Sequence, residues 1–338
     1  MWRKIPCSFT ELNLEITLGG GQSFRWNKNA KNEWIGVISD LAWILKQDSQ
    51  GNILYVVNPA DATENKVSCG LKKQKRMKIC KNAPLLNLRL GTNFSDCDNM
   101  LKDYFNLHIN LDELYNTWGK ADENFRLVAN HYKGIRILRQ DPLENVFSFI
   151  CSANNNISRI SSMVGKLCSH YGKAISVFDG TTYYAFPALE SLAANGVEET
   201  LRKLGFGYRA KYIHETAKSL LHDRPSDWLK TLRTLPYAEA HAELIKLPGI
   251  GAKVADCICL MSLDKYNAIP VDTHIWQVTL RDYLPHLKNS KTLTSKIFQE
   301  IGNFYRERFG DYAGWANTVL FAADLKKFKE PDKVTNKT

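Results

Sequence analysis

The chain has 338 residues, 44% hydrophobic and 24% charged, the balance of an ordinary globular protein with room for about two domains. A net charge of +10 favours a polyanionic partner, and no run approaches the roughly 18 apolar residues of a membrane span. Eight cysteines, at 7, 69, 80, 97, 151, 168, 257 and 259, lack even spacing and sit mostly in apolar contexts, which argues against a disulfide framework; Cys257-Ile258-Cys259 is too tight for paired zinc ligands.

Residues 10–58 read as an antiparallel sheet. Leu12, Leu14, Ile16 and Leu18 alternate, as do Ile53, Tyr55 and Val57, with strand-like runs at Gln22–Trp26, Glu33–Ile38 and Leu41–Lys46 between them. The period is lost over 59–95, which reads as a long, basic, mobile loop. Its Lys72, Lys73, Lys75, Arg76, Lys78 and Lys81 carry six of the ten net charges. The cluster from Lys72 to Arg76 reads equally as a nuclear localisation signal or a solvated loop. No secretory h-region or Arg/Ser-rich transit segment is read at the N-terminus. From Asp96 the pattern is helical.

Asp141-Pro142-Leu143-Glu144 is a capping-box variant with proline at the first helical position, and Asn154-Asn155-Asn156 interrupts the helix it opens. A second helix follows from Ile157 to near Gly172. Further helices are expected at Val197–Leu204, Ala210–Leu221, Ala238–Lys246, Ala252–Leu263, Thr273–Tyr283, Thr292–Phe309 and Tyr312–Lys327. The fold class expected is therefore α+β, with an N-terminal antiparallel sheet domain (1–110), an all-α domain (111–327) and a charged tail (328–338).

The densest chemistry lies at Leu247–Lys253, LPGIGAK, and at Asp272 within IPVDTH. Pro248 ends one helix, while Gly249 and Gly251 permit the turn and close backbone approach that start the next. Amides exposed at that start form an anion site suited to DNA phosphate. Lys253, in the first turn, is placed against the helix dipole, so it has either a salt-bridge partner or a chemical task. It shares one face with Cys257 and Met261, which draws its stem toward a desolvated pocket where the neutral, nucleophilic amine is favoured. Asp272 reads as the N-cap or first turn of the next helix.

LPGIGAKVADCICL followed by VDTH resembles the helix-hairpin-helix, Gly/Pro-rich loop and aspartate of the DNA glycosylase superfamily. GQSFRW, LRQDP, FSFICSANNNISR, LGFGYRAKY, DCICLMSLDK and YAGWANTVLFAADL, in this order over nearly the whole chain, resemble its 8-oxoguanine DNA glycosylase branch. The resemblance implies a bifunctional glycosylase and abasic-site lyase, with Lys253 as nucleophile and Asp272 stabilising positive charge on the sugar. It places the Gly21 carbonyl on the lesion's N7–H. Cys257 and Phe321 would stack on the everted base, and residue 317 would bind its pairing edge. Where the family has glutamine, this chain has the shorter Asn317, which puts lesion selectivity in question. Tyr208 would fill the vacated site, Arg209, Asn154 and Arg159 would hold the estranged cytosine, and His274 would join the Gly249–Gly251 turn on phosphate. Taken singly, most of these would more often be surface, turn or core residues.

A related branch carries four cluster cysteines after the catalytic domain. This chain has no cysteine beyond Cys259, so neither metal nor organic cofactor is expected. The partner expected is double-stranded DNA containing oxidised guanine, met by a monomer with no membrane partner, in the nucleus and in second place the mitochondrion. Two rivals stay open: a glycosylase of the same fold with another base choice, and a helix-hairpin-helix DNA-binding module without catalysis.

Overall fold

The computed structural model describes residues 2–58, 94–290, 292–325 and 328. Most of the 59–95 segment, with its lysine run, and nearly all of the tail therefore lie outside the described residues.

The N-terminal part opens with β1 (Arg3–Ile5) and α1 (Leu14–Gly19), followed by β2 (Asn27–Lys28), β3 (Trp34–Ile38), β4 (Leu41–Gln47) and β5 (Ile53–Val57). These strands form one antiparallel sheet in the order β1-β5-β4-β3-β2, with Trp34 opposite Leu45 and Trp43 opposite Val57. Strands expected at 33–38, 41–46 and 53–57 are present. Two others are corrected. Leu14–Gly19 is a helix, because the Asn13 side chain accepts from the amides of Glu15 and Ile16 and caps it. Leu14 and Leu18, four apart, are both buried, so the helical period outweighs the alternation. Gln22–Trp26 is irregular, its backbone and side chains bonded to the 136–140 segment instead of a neighbouring strand.

The remainder is mainly helical: α2 (Phe94–Tyr104), α3 (Leu111–Ala121), α4 (Glu123–Ala129), α5 (Pro142–Ile150), α6 (Ile157–Tyr171), α7 (Leu189–Ala193), α8 (Val197–Lys203), α9 (Arg209–His222), α10 (Trp228–Thr231), α11 (Tyr237–Ile245), α12 (Ala252–Ser262), α13 (Thr273–Asp282), α14 (Ser295–Phe309) and α15 (Ala313–Asp324). The helical part is not entirely α. A hairpin of β6 (Ala174–Phe178) and β7 (Thr181–Tyr184) follows α6. Asp179 and Gly180 at its tip both take positive φ, the two-residue turn that suits strand twist.

The sheet and α2 enclose one apolar core around Trp43, Tyr55 and Phe105, and the helices enclose a second around Phe147, Ile213 and Trp315. Buried polar groups join them. Arg136, fully buried, donates to the carbonyls of Asn106 (2.8 Å) and Ile109 (2.9 Å) and pairs with Glu11. Gln22 Nε2 donates to the Arg136 carbonyl (2.8 Å), its Oε1 accepts from the Leu138 amide (3.0 Å), and Gln140 donates to its carbonyl (2.9 Å). The glycine-rich loop at 19–21 is thereby fixed to the strand-like segment that leads into α5.

Candidate active site

α11, the turn Lys246–Gly251 and α12 form the helix-hairpin-helix that the sequence indicates. Leu247 and Ile250 are buried and anchor the turn from beneath. Gly249 has φ +78°, and a Cβ there would sit 2.6 Å from Tyr212 Cβ and Cγ, so conformation and space both demand glycine. Thr216 Oγ1 donates to the Pro248 carbonyl (2.7 Å). Both contacts come from α9, which braces the hairpin. Gly251 is extended and exposed, and no side chain caps the amides of α12.

Lys253 follows in the first turn of α12. Its Nζ lies 5.5 Å from the centre of the Phe149 ring. Among the described residues no carboxylate comes within 4.0 Å of it, so the salt-bridge explanation for a lysine placed here fails. Cys257, one turn on, is buried, and burial pushes its thiol up to about 11. The positive charge of Lys253 opposes that shift, and Asp256 and then Asp272 reinforce it. Lys253 and Asp272 thus both act on the Cys257 thiol. Asp272 caps α13, its Oδ1 accepting from the Ile275 amide (2.9 Å), and Oδ2 has no partner among the described residues.

His274 and Phe321 meet edge to face, ring centres 5.6 Å apart, and His274 Nδ1 lies 2.8 Å from Asp324 Oδ2. Asn317 is 2% exposed, its Nδ2 without a partner. Gly21, at φ +83°, packs against Ile157 at the start of α6, and Phe24 meets Phe149 edge to face at 5.5 Å. The sequence reading missed Phe149, the link between the glycine-rich loop and Lys253, and Asp324. The latter is three residues beyond Phe321 and so on its helix face, which was a usable signal.

A second cluster forms at the N-terminus of α9. Tyr208 is 49% exposed at the N-terminus of α9, with Arg209 stacked beneath it at 4.6 Å. Arg209 is 4% exposed, and its guanidinium bonds the carbonyls of Ala153 and Asn154. It holds the α5–α6 turn, in which Asn154 takes φ +47°, and does not project as a free cation. Asn154 on this turn and Arg159 in the first turn of α6 are exposed.

Behind the hairpin, Asp256 is wholly buried on α12. Tyr237 donates to its Oδ1 (2.6 Å), His241 Nε2 is 3.5 Å away, and Oδ2 has no partner. Burial raises its pKa to about 7, against the Tyr237 bond and Arg306, while burial lowers His241, so each group is pushed toward its neutral form. A carboxyl that keeps its proton in the folded state and loses it near 3.8 when unfolded costs stability as pH rises from about 4 through 7. Depressed His241 acts in the opposite sense below 6.5. Subtracting the melting temperatures of Asp256→Asn from the native protein's across this range is expected to isolate a falling slope; a flat difference would contradict it.

A family profile described as "8-oxoguanine DNA glycosylase, N-terminal domain" matches residues 4–146, and one described as "HhH-GPD superfamily base excision DNA repair protein" matches residues 147–304. The "N-glycosylase/DNA lyase OGG1" of Arabidopsis thaliana is 38% identical over 96% of this chain and 80% of its own length. The chain belongs to the 8-oxoguanine DNA glycosylase family. An "N-glycosylase/DNA lyase" of Saccharomyces cerevisiae is 35% identical over 95% of this chain and 86% of its own. Among solved structures, an 8-oxoguanine glycosylase/lyase of Clostridium acetobutylicum, bound to double-stranded DNA with cytosine opposite 8-oxoG, superposes with a TM-score of 0.74. It is 27% identical and covers 95% of this chain and 96% of that one.

As a member of this family the protein is a base-excision DNA glycosylase with lyase activity, and its partner is double-stranded DNA. No described helix is long and apolar enough to cross a membrane. Among the described residues no group of three potential metal ligands is clustered.

Proposed function

We propose that this protein excises 8-oxoguanine paired with cytosine and then cleaves the strand, with Lys253 as nucleophile. The observation that carries the reading is a lysine at the hairpin exit with no carboxylate within 4.0 Å among the described residues, one turn from Cys257, on whose thiol Asp272 also acts. The neutral amine attacks C1′ of the everted nucleotide. A C–N bond forms, the glycosidic bond breaks, and its electron pair leaves with the base, which gains a proton. Asp272 Oδ2 stabilises the positive charge spread over C1′ and the ring oxygen. Ring opening gives a Schiff base. Loss of a C2′ proton then expels the 3′ phosphate, and water releases the lysine.

The base must leave the stack for this chemistry. Residues 1–110 contribute Gly21, whose carbonyl accepts from N7–H of the lesion; guanine has an acceptor there and is rejected. Residues 111–327 contribute the rest. Cys257 and Phe321 sandwich the ring, Asn317 faces its pairing edge, and Tyr208 fills the hole in the duplex. Asn154 and Arg159 meet the orphaned cytosine, with Arg209 holding the turn of Asn154 in shape. The amides at Gly249 and Gly251 grip phosphate together with His274. The compartment that fits this substrate is the nucleus.

A duplex panel tests the reading: 8-oxoguanine opposite each of the four bases, with guanine and 3-methyladenine as competing targets. Excision of 8-oxoguanine opposite cytosine should exceed every other combination by at least about tenfold, the discrimination that buried hydrogen-bonding groups support. Equal excision of 3-methyladenine, or of adenine opposite the lesion, would give the protein to the rival base choice.

A further inference from the structure

Asn145, in the middle of α5, is 0% exposed, and neither its Nδ2 nor its Oδ1 has a hydrogen-bond partner among the described residues. A carboxamide stranded in a hydrocarbon interior is destabilising, and a leucine there would leave nothing unpaired. Its neighbours explain the choice. α5 and α12 run antiparallel: the Gln140 amide donates to the Met261 carbonyl (2.9 Å) at one end, and Phe149 lies against Lys253 (5.5 Å) at the other. Asn145 is one turn before Phe149 and Cys257 one turn after Lys253, which sets Asn145 level with Cys257.

α15 reaches the same level from another side. At its start, a Cβ on Gly314 would lie 2.6 Å from Leu260 Cδ1; further on, Phe321 meets His274, two residues past Asp272. Asn317 lies between these two contacts along α15, and among the described residues its Nδ2 is a second buried amide without a partner.

We propose that Asn145 is a further base-reading residue, its carboxamide sharing with Asn317 the hydrogen bonds to the edge of an everted guanine-type purine. This rests on the reading that Cys257 lines the base pocket. A guanine-type edge presents a carbonyl acceptor beside N–H donors, and an amide supplies one donor group and one acceptor, so two short amides divide the work of a longer one. The shorter reach of Asn317 is thereby made good from α5.

The test uses the full chain carrying Asn145→Leu, which keeps the branched heavy-atom skeleton but is bulkier, and Asn145→Ala. Single-turnover excision from an 8-oxoguanine·cytosine duplex is compared with borohydride trapping on a duplex holding a preformed abasic site, where no base remains to be read. Both variants should lower the ratio of excision to trapping by about tenfold or more, the usual effect of removing a hydrogen bond from a buried polar group. Combining Asn145→Ala with Asn317→Ala should lower it less than the product of the single effects, because the two act on one base. If both variants keep the native ratio, with the leucine raising the melting temperature, Asn145 is only a strained or water-bound core residue and the proposal is overturned. The alanine variant decides the matter if the leucine variant does not fold. Failure of the unsubstituted protein to trap would strike the Lys253 chemistry instead, leaving the excision comparison intact.

Discussion

Lys253→Gln is expected to abolish borohydride trapping and to slow base excision by roughly 10³-fold or more, the scale on which loss of a covalent nucleophile is felt. Glutamine keeps the polar end and most of the stem, so packing against Phe149 and Cys257 changes little. What disappears is an amine able to form a bond to carbon. DNA affinity should survive, because the hairpin amides and the shape imposed by Gly249 against Tyr212 are untouched. Removing one positive charge should weaken binding only slightly and, if Lys253 contacts phosphate, lower the salt dependence by about one counterion. Trapping at the native level would remove Lys253 from its role. Lost binding with intact folding would instead make the residue a phosphate anchor.

Arg136→Met is expected to be the most damaging single change to stability, by about 3–5 kcal/mol, the usual effect of breaking a buried ion pair from one side. The guanidinium is enclosed, and burial lowers its pKa, opposed chiefly by Glu11. It serves the carbonyls of Glu11, Asn106 and Ile109 together, all of which the substitution strands. Glu11 is partly exposed and also accepts from the amides of Leu111 and Asp112, so its charge can recover water while the carbonyls cannot. Urea denaturation measures the loss. A change under about 1 kcal/mol would show that the carbonyls find other partners.

Much of this was legible in the residues. Pro248, Gly249 and Gly251 punctuate the hairpin so strongly that its helices fall within two residues of expectation. Asp141 and Pro142 do the same for α5, where the Asp141 side chain accepts from the amides of Leu143 and Glu144. Reading failed where two periods coexist, as in Leu12–Leu18, and where a turn signal was passed over, as at Asp179-Gly180 between β-branched and aromatic runs. Arg209 has bonds that the sequence does not announce. A cation beside an exposed tyrosine looks made for DNA, and its bonds to the carbonyls of the α5–α6 turn could not be read from its position in the chain. The orphaned amide of Asn145 is invisible in principle from sequence, since an asparagine in an apolar helix gives no sign of what it lacks.

The boundary between the two matched segments, at 146/147, cuts α5 in the middle. Glu144, before the cut, pairs with Arg25 at 2.8 Å, and Phe149, after it, touches both Phe24 and Lys253. Sheet and helices are therefore not cassettes that can be traded between relatives at that seam. A chimaera that keeps its loop aligned with its lysine would have to inherit residues 136–150 as one piece with the glycine-rich stretch.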